Sequence, residues 1–142
     1  MPAQSAILKP RRRANKPFGL SSYRERDQIV RELGFASYRE YLDSDLWRTI
    51  RCRVYRNKGG FCRICKAPAT EIHHNTYTRR VMGGADIGPL HPLCRSCHKS
   101  LEFAGNGRKR WPKEVRRQFR LARRAARKDR RDAAREPSLR PP

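Results

Sequence analysis

The chain has 142 residues, enough for one compact domain with tails. Its 35 basic residues against 13 acidic ones leave a formal charge of +22 with only 37% of residues hydrophobic, so the chain repels itself and seeks a polyanion, with nucleic acid as the leading partner. A membrane protein is excluded by the same reading: no apolar run reaches the roughly 18 residues of a spanning helix and no signal-peptide core follows Met1, which leads to the expectation of a soluble, cytoplasmic protein with no membrane partner.

Residues 1–20 carry Pro2, Pro10, Pro17 and the run Arg11-Arg12-Arg13 with few apolar side chains to offset the entropy of ordering, which predicts a disordered basic arm. Residues 21–60 read as a helical N-terminal part of the domain. Ile29, Val30 and Leu33 recur at helical spacing, Gly34 suits a helix stop, and Ser37 or Ser44 can cap the next helix. The strongest helix runs from Ser44 to Arg56, with Leu46, Trp47, Ile50 and Val54 as an apolar stripe and Arg48, Arg51 and Arg53 toward the other side. Residues 61–105 form the core. Phe61 to Ile64 opens a knuckle, Ala69 to Asn75 is a strand carrying His73-His74, and 76–90 is a hairpin or extended loop with a weakly defined second strand. Leu93 to Phe103 then resumes as a helix. Residues 106–142 are a basic C-terminal helix and tail, opening at Pro112 and ending near Pro137, with Val115, Phe119, Ala122 and Ala126 as a thin apolar face. Its acids, such as Glu114, Asp129 and Asp132, are too few to neutralise the arginines, so its expected partners are phosphates.

The chemistry is concentrated in two Cys-x-x-Cys pairs, Cys62/Cys65 and Cys94/Cys97, which bracket His73, His74 and His91 and are followed at once by His98. Two such hooks can close a tetrahedral Zn²⁺ site, and a zinc held by four thiolates has no open position for substrate. That site is therefore structural, and it staples a core too small to rely on apolar burial alone. Cys52, between Arg51 and Arg53, is an ordinary small side chain of a helix. The histidines are left for chemistry: imidazole titrates near neutral pH and serves as proton acceptor or as ligand to a divalent ion. On a strand, adjacent side chains point to opposite faces, so one histidine of the doublet can bind metal while the other faces substrate. The sum is strand, strand, helix around two metal sites.

Several spaced motifs then occur in order: Tyr41-Leu42-Asp43-Ser44-Asp45-Leu46-Trp47, Arg51, Val54, Gly59-Gly60, Cys62-Arg63-Ile64-Cys65, Ala69-Thr70-Glu71-Ile72-His73-His74-Asn75-Thr76-Tyr77 and Leu93-Cys94-Arg95-Ser96-Cys97-His98. Over residues 38 to 103 the chain resembles HNH endonucleases of the zinc-knuckle, His-His type. The resemblance implies a small α+β fold, a ββα-metal (His-Me finger) core with a four-cysteine zinc knuckle flanked by helices and basic tails, and metal-dependent hydrolysis of DNA phosphodiesters by nicking or double-strand cleavage. It implies His74 as the general base, and His73 and His98 as ligands to one catalytic divalent ion (Mg²⁺, Mn²⁺, Ni²⁺ or Zn²⁺).

Where the family usually has Asn or Asp bracing the loop that aims the base, this chain has Pro89; Asp86 is the candidate replacement if the loop folds back, and Gly83-Gly84 keep the family's glycine pair. A further histidine found after the helix ligand in some members is absent, with Leu101-Glu102 in its place. DNA contacts are expected from Arg79, Arg80, Lys99, Arg116, Arg120 and Arg123, with Trp47, Trp111 and Tyr77 able to stack on bases, although Trp47 fits a core position better. The alternative reading is a non-catalytic zinc-stabilised nucleic-acid-binding protein. A basic RNA-binding protein would explain the charged tails but neither the doublet nor His98.

Overall fold

The computed structural model describes residues 23–135, so the expected N-terminal arm lies outside the described residues, as does the end of the tail. Its elements are α1 (Tyr23–Glu32), α2 (Tyr38–Asp43), α3 (Asp45–Lys58), β1 (Glu71–His74), α4 (Arg79–Met82), β2 (Leu90–Leu93), α5 (Arg95–Glu102) and α6 (Pro112–Arg135). This is a small α+β fold built on a two-stranded antiparallel sheet. Both candidate serine caps are used, because α2 and α3 are separate helices. Ser37 Oγ accepts from the Glu40 N–H, and Ser44 Oγ accepts from the Trp47 N–H, each cap typically contributing about 1 kcal/mol.

Two four-residue strands are marginal by themselves, and here each face of the sheet is covered by helices. The register pairs Glu71 with Leu93, Ile72 with Pro92, His73 with His91 and His74 with Leu90. Directly opposed residues share a face. Ile72, His74 and Leu90 therefore face one way, into a core with Val30, Tyr41, Trp47, Ile50 and Val54 of α1–α3. His73, His91 and Leu93 face the other way, toward α5 and α6, where Cys62, Leu93, Leu101, Val115 and Phe119 form a second cluster. The apolar stripe of α3 is realised by Trp47, Ile50 and Val54, all buried, with Leu46 at its edge. Cys52 is exposed on the same helix.

Between the strands the chain departs from the expected hairpin or extended loop. It makes α4, capped by Thr78, whose Oγ1 accepts from the Val81 N–H. Val81 and Met82 are buried, and the Tyr41 hydroxyl donates to the Met82 carbonyl at 2.9 Å. Gly84 follows at φ +81°, where a Cβ would lie 2.9 Å from Ile50 Cγ1, so only glycine fits both the backbone and the space. Its carbonyl accepts from Arg53 Nη1 at 2.6 Å, which turns that arginine from the expected free face onto the loop. Among the described residues no helix is long and apolar enough to cross a membrane.

Candidate metal centre and histidine cleft

The four-cysteine centre is assembled from a knuckle and a helix start. Cys62 opens a tight turn in which the Lys66 N–H returns to the Cys62 carbonyl and Lys66 sits at φ 67°. Cys94 is the N-cap of α5, its Sγ accepting from the Cys97 N–H. The knuckle is tied to β2 by the Arg63 N–H, which donates to the Pro92 carbonyl at 3.0 Å. All four sulfurs lie within 4.8 Å of one another, and Cys65 Sγ and Cys94 Sγ are 3.6 Å apart. A tetrahedron with metal–sulfur bonds of about 2.3 Å has edges of about 3.8 Å, so the donor set fits a metal ion. Burial works to raise the Cys62 thiol, but hydrogen bonds from backbone N–H groups of Cys94, Cys65 and Ile64 and from the Cys65 thiol bring it down to about 7. One thiolate is thus at hand near neutral pH to begin metal capture.

Among the described residues the four cysteines are the group of three or more metal-ligating side chains drawn this close. The histidines form a looser cleft. His73 is buried, its ring centroid 5.5 Å from that of His98 on α5 and 5.1 Å from that of Phe119 on α6. His98 Nδ1 lies 2.6 Å from Glu71 Oε2. Burial works to raise the Glu71 carboxyl, but hydrogen bonds from His98 and Arg95 outweigh it and hold the carboxyl below its ordinary value. Glu71 is therefore ionised and can only accept, which makes Nδ1–H the donor and turns Nε2 away from Glu71. A carboxylate holding one ring nitrogen so that the other faces a metal is how ligating histidines are commonly oriented. That Nε2 is 3.7 Å from Glu102 Oε1, one helical turn along α5. His73 Nε2 is buried and has no hydrogen-bond partner. Two imidazoles and the Glu102 carboxylate thus lie near one another, more loosely than the four cysteines.

His74 projects from the opposite face. It is stacked between Trp47, with centroids 4.7 Å apart and planes at 24°, and Tyr77, at 5.3 Å and 16°, with Tyr38 edge-on. Its exposure is 6%, and its Nε2 is also buried without a partner. Burial first, then the charges of His98 and Arg26, push its pKa down to about 3, so it is a neutral imidazole at physiological pH. Tyr77 is turned inward onto His74 and Trp47 is buried, so of the proposed stacking aromatics only Trp111, 65% exposed, is free to meet a base.

Asp86 Oδ1 accepts from the Gly88 N–H at 2.8 Å, and the Asp86 N–H donates to the Arg80 carbonyl. Asp86 therefore shapes its own loop, and no hydrogen bond joins it to His74. Lys58, at the end of α3, ties the last part of the loop to the body. Its Nζ donates to the carbonyls of Ile87, Gly88 and Leu90 at 2.8, 2.7 and 2.6 Å. Leu90 is the register partner of His74, and the Asn75 N–H donates to the Pro89 carbonyl at 2.9 Å. Proline supplies no side-chain bond, but its carbonyl still closes the ladder.

The remaining sequence candidates are divided. Arg79 is paired with Glu32 at 2.7 Å, Arg80 and Lys99 are exposed, and Arg116 Nε donates to the Asn75 carbonyl at 3.1 Å beside the histidines. Arg120 is exposed and Arg123 half-buried on α6. Sequence reasoning passed over Glu71, Lys58, Asn75 and the position of Glu102 beside His98. The spacing of Glu102 four residues after His98 was the available signal; nothing local marks Lys58. No family profile, curated protein or solved structure matches the chain.

Proposed function

We propose that the protein is a metal-dependent DNA endonuclease that hydrolyses phosphodiester bonds through an HNH-type, ββα-metal site, with the four cysteines holding a structural Zn²⁺. In this reading His73, His98 and Glu102 hold one divalent ion (Mg²⁺, Mn²⁺, Ni²⁺ or Zn²⁺), and His74 accepts the proton of the attacking water. The observation that supports it is the oriented pair: His98, its Nδ1 held by Glu71, lies beside the unpartnered His73 across the order β1, β2, α5. The ion, when bound, neutralises charge on the scissile phosphate and on the oxygen that leaves. The chain's own contribution is orientation. Trp47 and Tyr77 clamp the His74 ring, and Lys58 fixes the strand end paired with it. His74 is a reluctant base in the free protein because burial disfavours its charged form; a phosphodiester arriving beside it brings the negative charge that favours protonation.

His74→Ala is expected to abolish nicking of plasmid DNA while leaving DNA affinity and zinc content intact. An equal loss of folding would contradict the assignment, because His74 would then be merely a core aromatic. The 6% exposure of His74 favours a second reading, a non-catalytic zinc-stabilised nucleic-acid-binding protein, in which the same substitution changes stability alone.

A further inference from the structure

The arginines of α6 do not scatter around the helix. Arg116, Arg120, Arg123, Arg124 and Arg127 follow the i, i+4, i+7, i+8, i+11 spacing of one face, and with His91 they line a groove of about 350 Å³. Among the described residues none of these arginines forms an ion pair. Three polar atoms of the groove lining, Asn75 Oδ1, His91 Nδ1 and Arg116 Nη2, are buried and have no hydrogen-bond partner. The groove is crowded with like charge: burial, then Arg63 and Arg127, lower the Arg123 guanidinium below its ordinary value. An array of cations with no acid beside it concentrates anions along the groove.

The groove also has a direction. Asn75 and Arg116 line both it and the cleft that contains His73 and His74, so the two lie side by side with these residues in common. Toward its other end α6 meets the cysteine knuckle, where Arg130 Nη1 donates to the Ile64 carbonyl. From Arg116 to Arg127 the helix rises about 17 Å, the length of about five nucleotides of one strand.

We propose that this groove is a second DNA subsite: it holds the backbone phosphates on one side of the scissile bond, leading the strand from the histidine cleft along α6 toward the cysteine knuckle. The assignment rests on the nuclease reading for its cleft, but its binding is measured separately. The full chain, without chelator or added divalent metal, is titrated against a fluorescently labelled DNA duplex at a series of salt concentrations. One variant carries Arg120→Gln, Arg124→Gln and Arg127→Gln; a control of equal charge carries Arg24→Gln, Arg31→Gln and Arg56→Gln, all exposed on α1 and α3. Each lost phosphate contact removes about 0.9 from the slope of log affinity against log salt, so the groove variant should lose about two to three from that slope and the control less than about one. An unchanged slope in the groove variant, an equal fall in both variants, or no DNA binding by the parent chain overturns the proposal. A parent chain that shows the expected slopes yet cuts no plasmid in any divalent metal sinks the hydrolytic reading and leaves the groove standing. A chain that cuts while the groove variant keeps its slope sinks the groove alone.

Discussion

Lys58 sets one ammonium group against three carbonyl oxygens, using all three of its donors on a loop about thirty residues away in the chain. Burial, then the charge of Arg63, lowers its pKa, so this bond set is made against a real desolvation cost. Lys58→Met keeps the aliphatic stem and removes the donors, leaving backbone carbonyls underpaired; the expected loss is about 1–3 kcal/mol, read as a lower thermal midpoint. If His74 depends on this brace, nicking by the variant at a temperature where it is folded should fall well below that of the parent, whereas an Asp86→Ala variant should lose less. A Lys58→Met protein with unchanged stability and rate would remove the brace from the account. Little in the sequence marks Lys58, because a lysine at a helix end usually faces water; only the return of 86–90 to the C-terminus of α3 gives it acceptors. Pro89, by contrast, was legible as a departure from the resembled pattern, and in the structure its carbonyl accepts from the Asn75 N–H while the Lys58 ammonium holds the carbonyl of Gly88 just before it.

At the scale of elements, the strand register does most to organise the site. A slip of one residue would exchange His73 for His74 across the sheet, and the slip is blocked because Ile72 and Leu90 are buried in the α1–α3 core while Leu93 and Phe119 fill the other side. The cysteine knuckle anchors that register through the Arg63 N–H to the Pro92 carbonyl, and the Thr70 N–H adds a bond to the Leu93 carbonyl. Cys62→Ser is therefore expected to remove the cooperative thermal transition, and a retained cooperative melt would argue against a structural metal. The cysteine hooks, the histidine-bearing strand and the basic helix were readable because each has a local signature in spacing or period. The short helix α4 was not, since four residues leave no periodicity to read; what makes Arg79–Met82 helical is the Thr78 cap, the Tyr41 bond to Met82 and the space only Gly84 can fill.

Across the whole molecule the formal charge is +22, yet three imidazoles within the described residues are held against taking up a proton. His74 and His91 are both pushed down to about 3, by burial first and then by neighbouring cations, and burial lowers His73 well below its usual value. In the unfolded chain these groups return to about 6.5 and bind protons that the folded state refuses. Their contribution to stability is therefore present above about pH 6.5 and is lost as pH falls toward 3. The thermal midpoint should drop steadily over that window, and His91→Phe should flatten part of the fall; a midpoint independent of pH from 7 to 4 would show that the histidines are not buried neutral. What sequence alone could not supply at this scale is the convergence of separate segments, with α6 laid over His73 and His91 by Phe119 and α1 brought to the cleft by Tyr23.

The central claim is catalytic, and the most direct test is relaxation of supercoiled plasmid by the full chain in Mg²⁺, Mn²⁺, Ni²⁺ or Zn²⁺, with His74→Ala beside it. The account predicts nicked product in at least one metal from the parent chain and none from the variant. A folded, zinc-loaded parent that binds the plasmid and leaves it supercoiled in all four would contradict it.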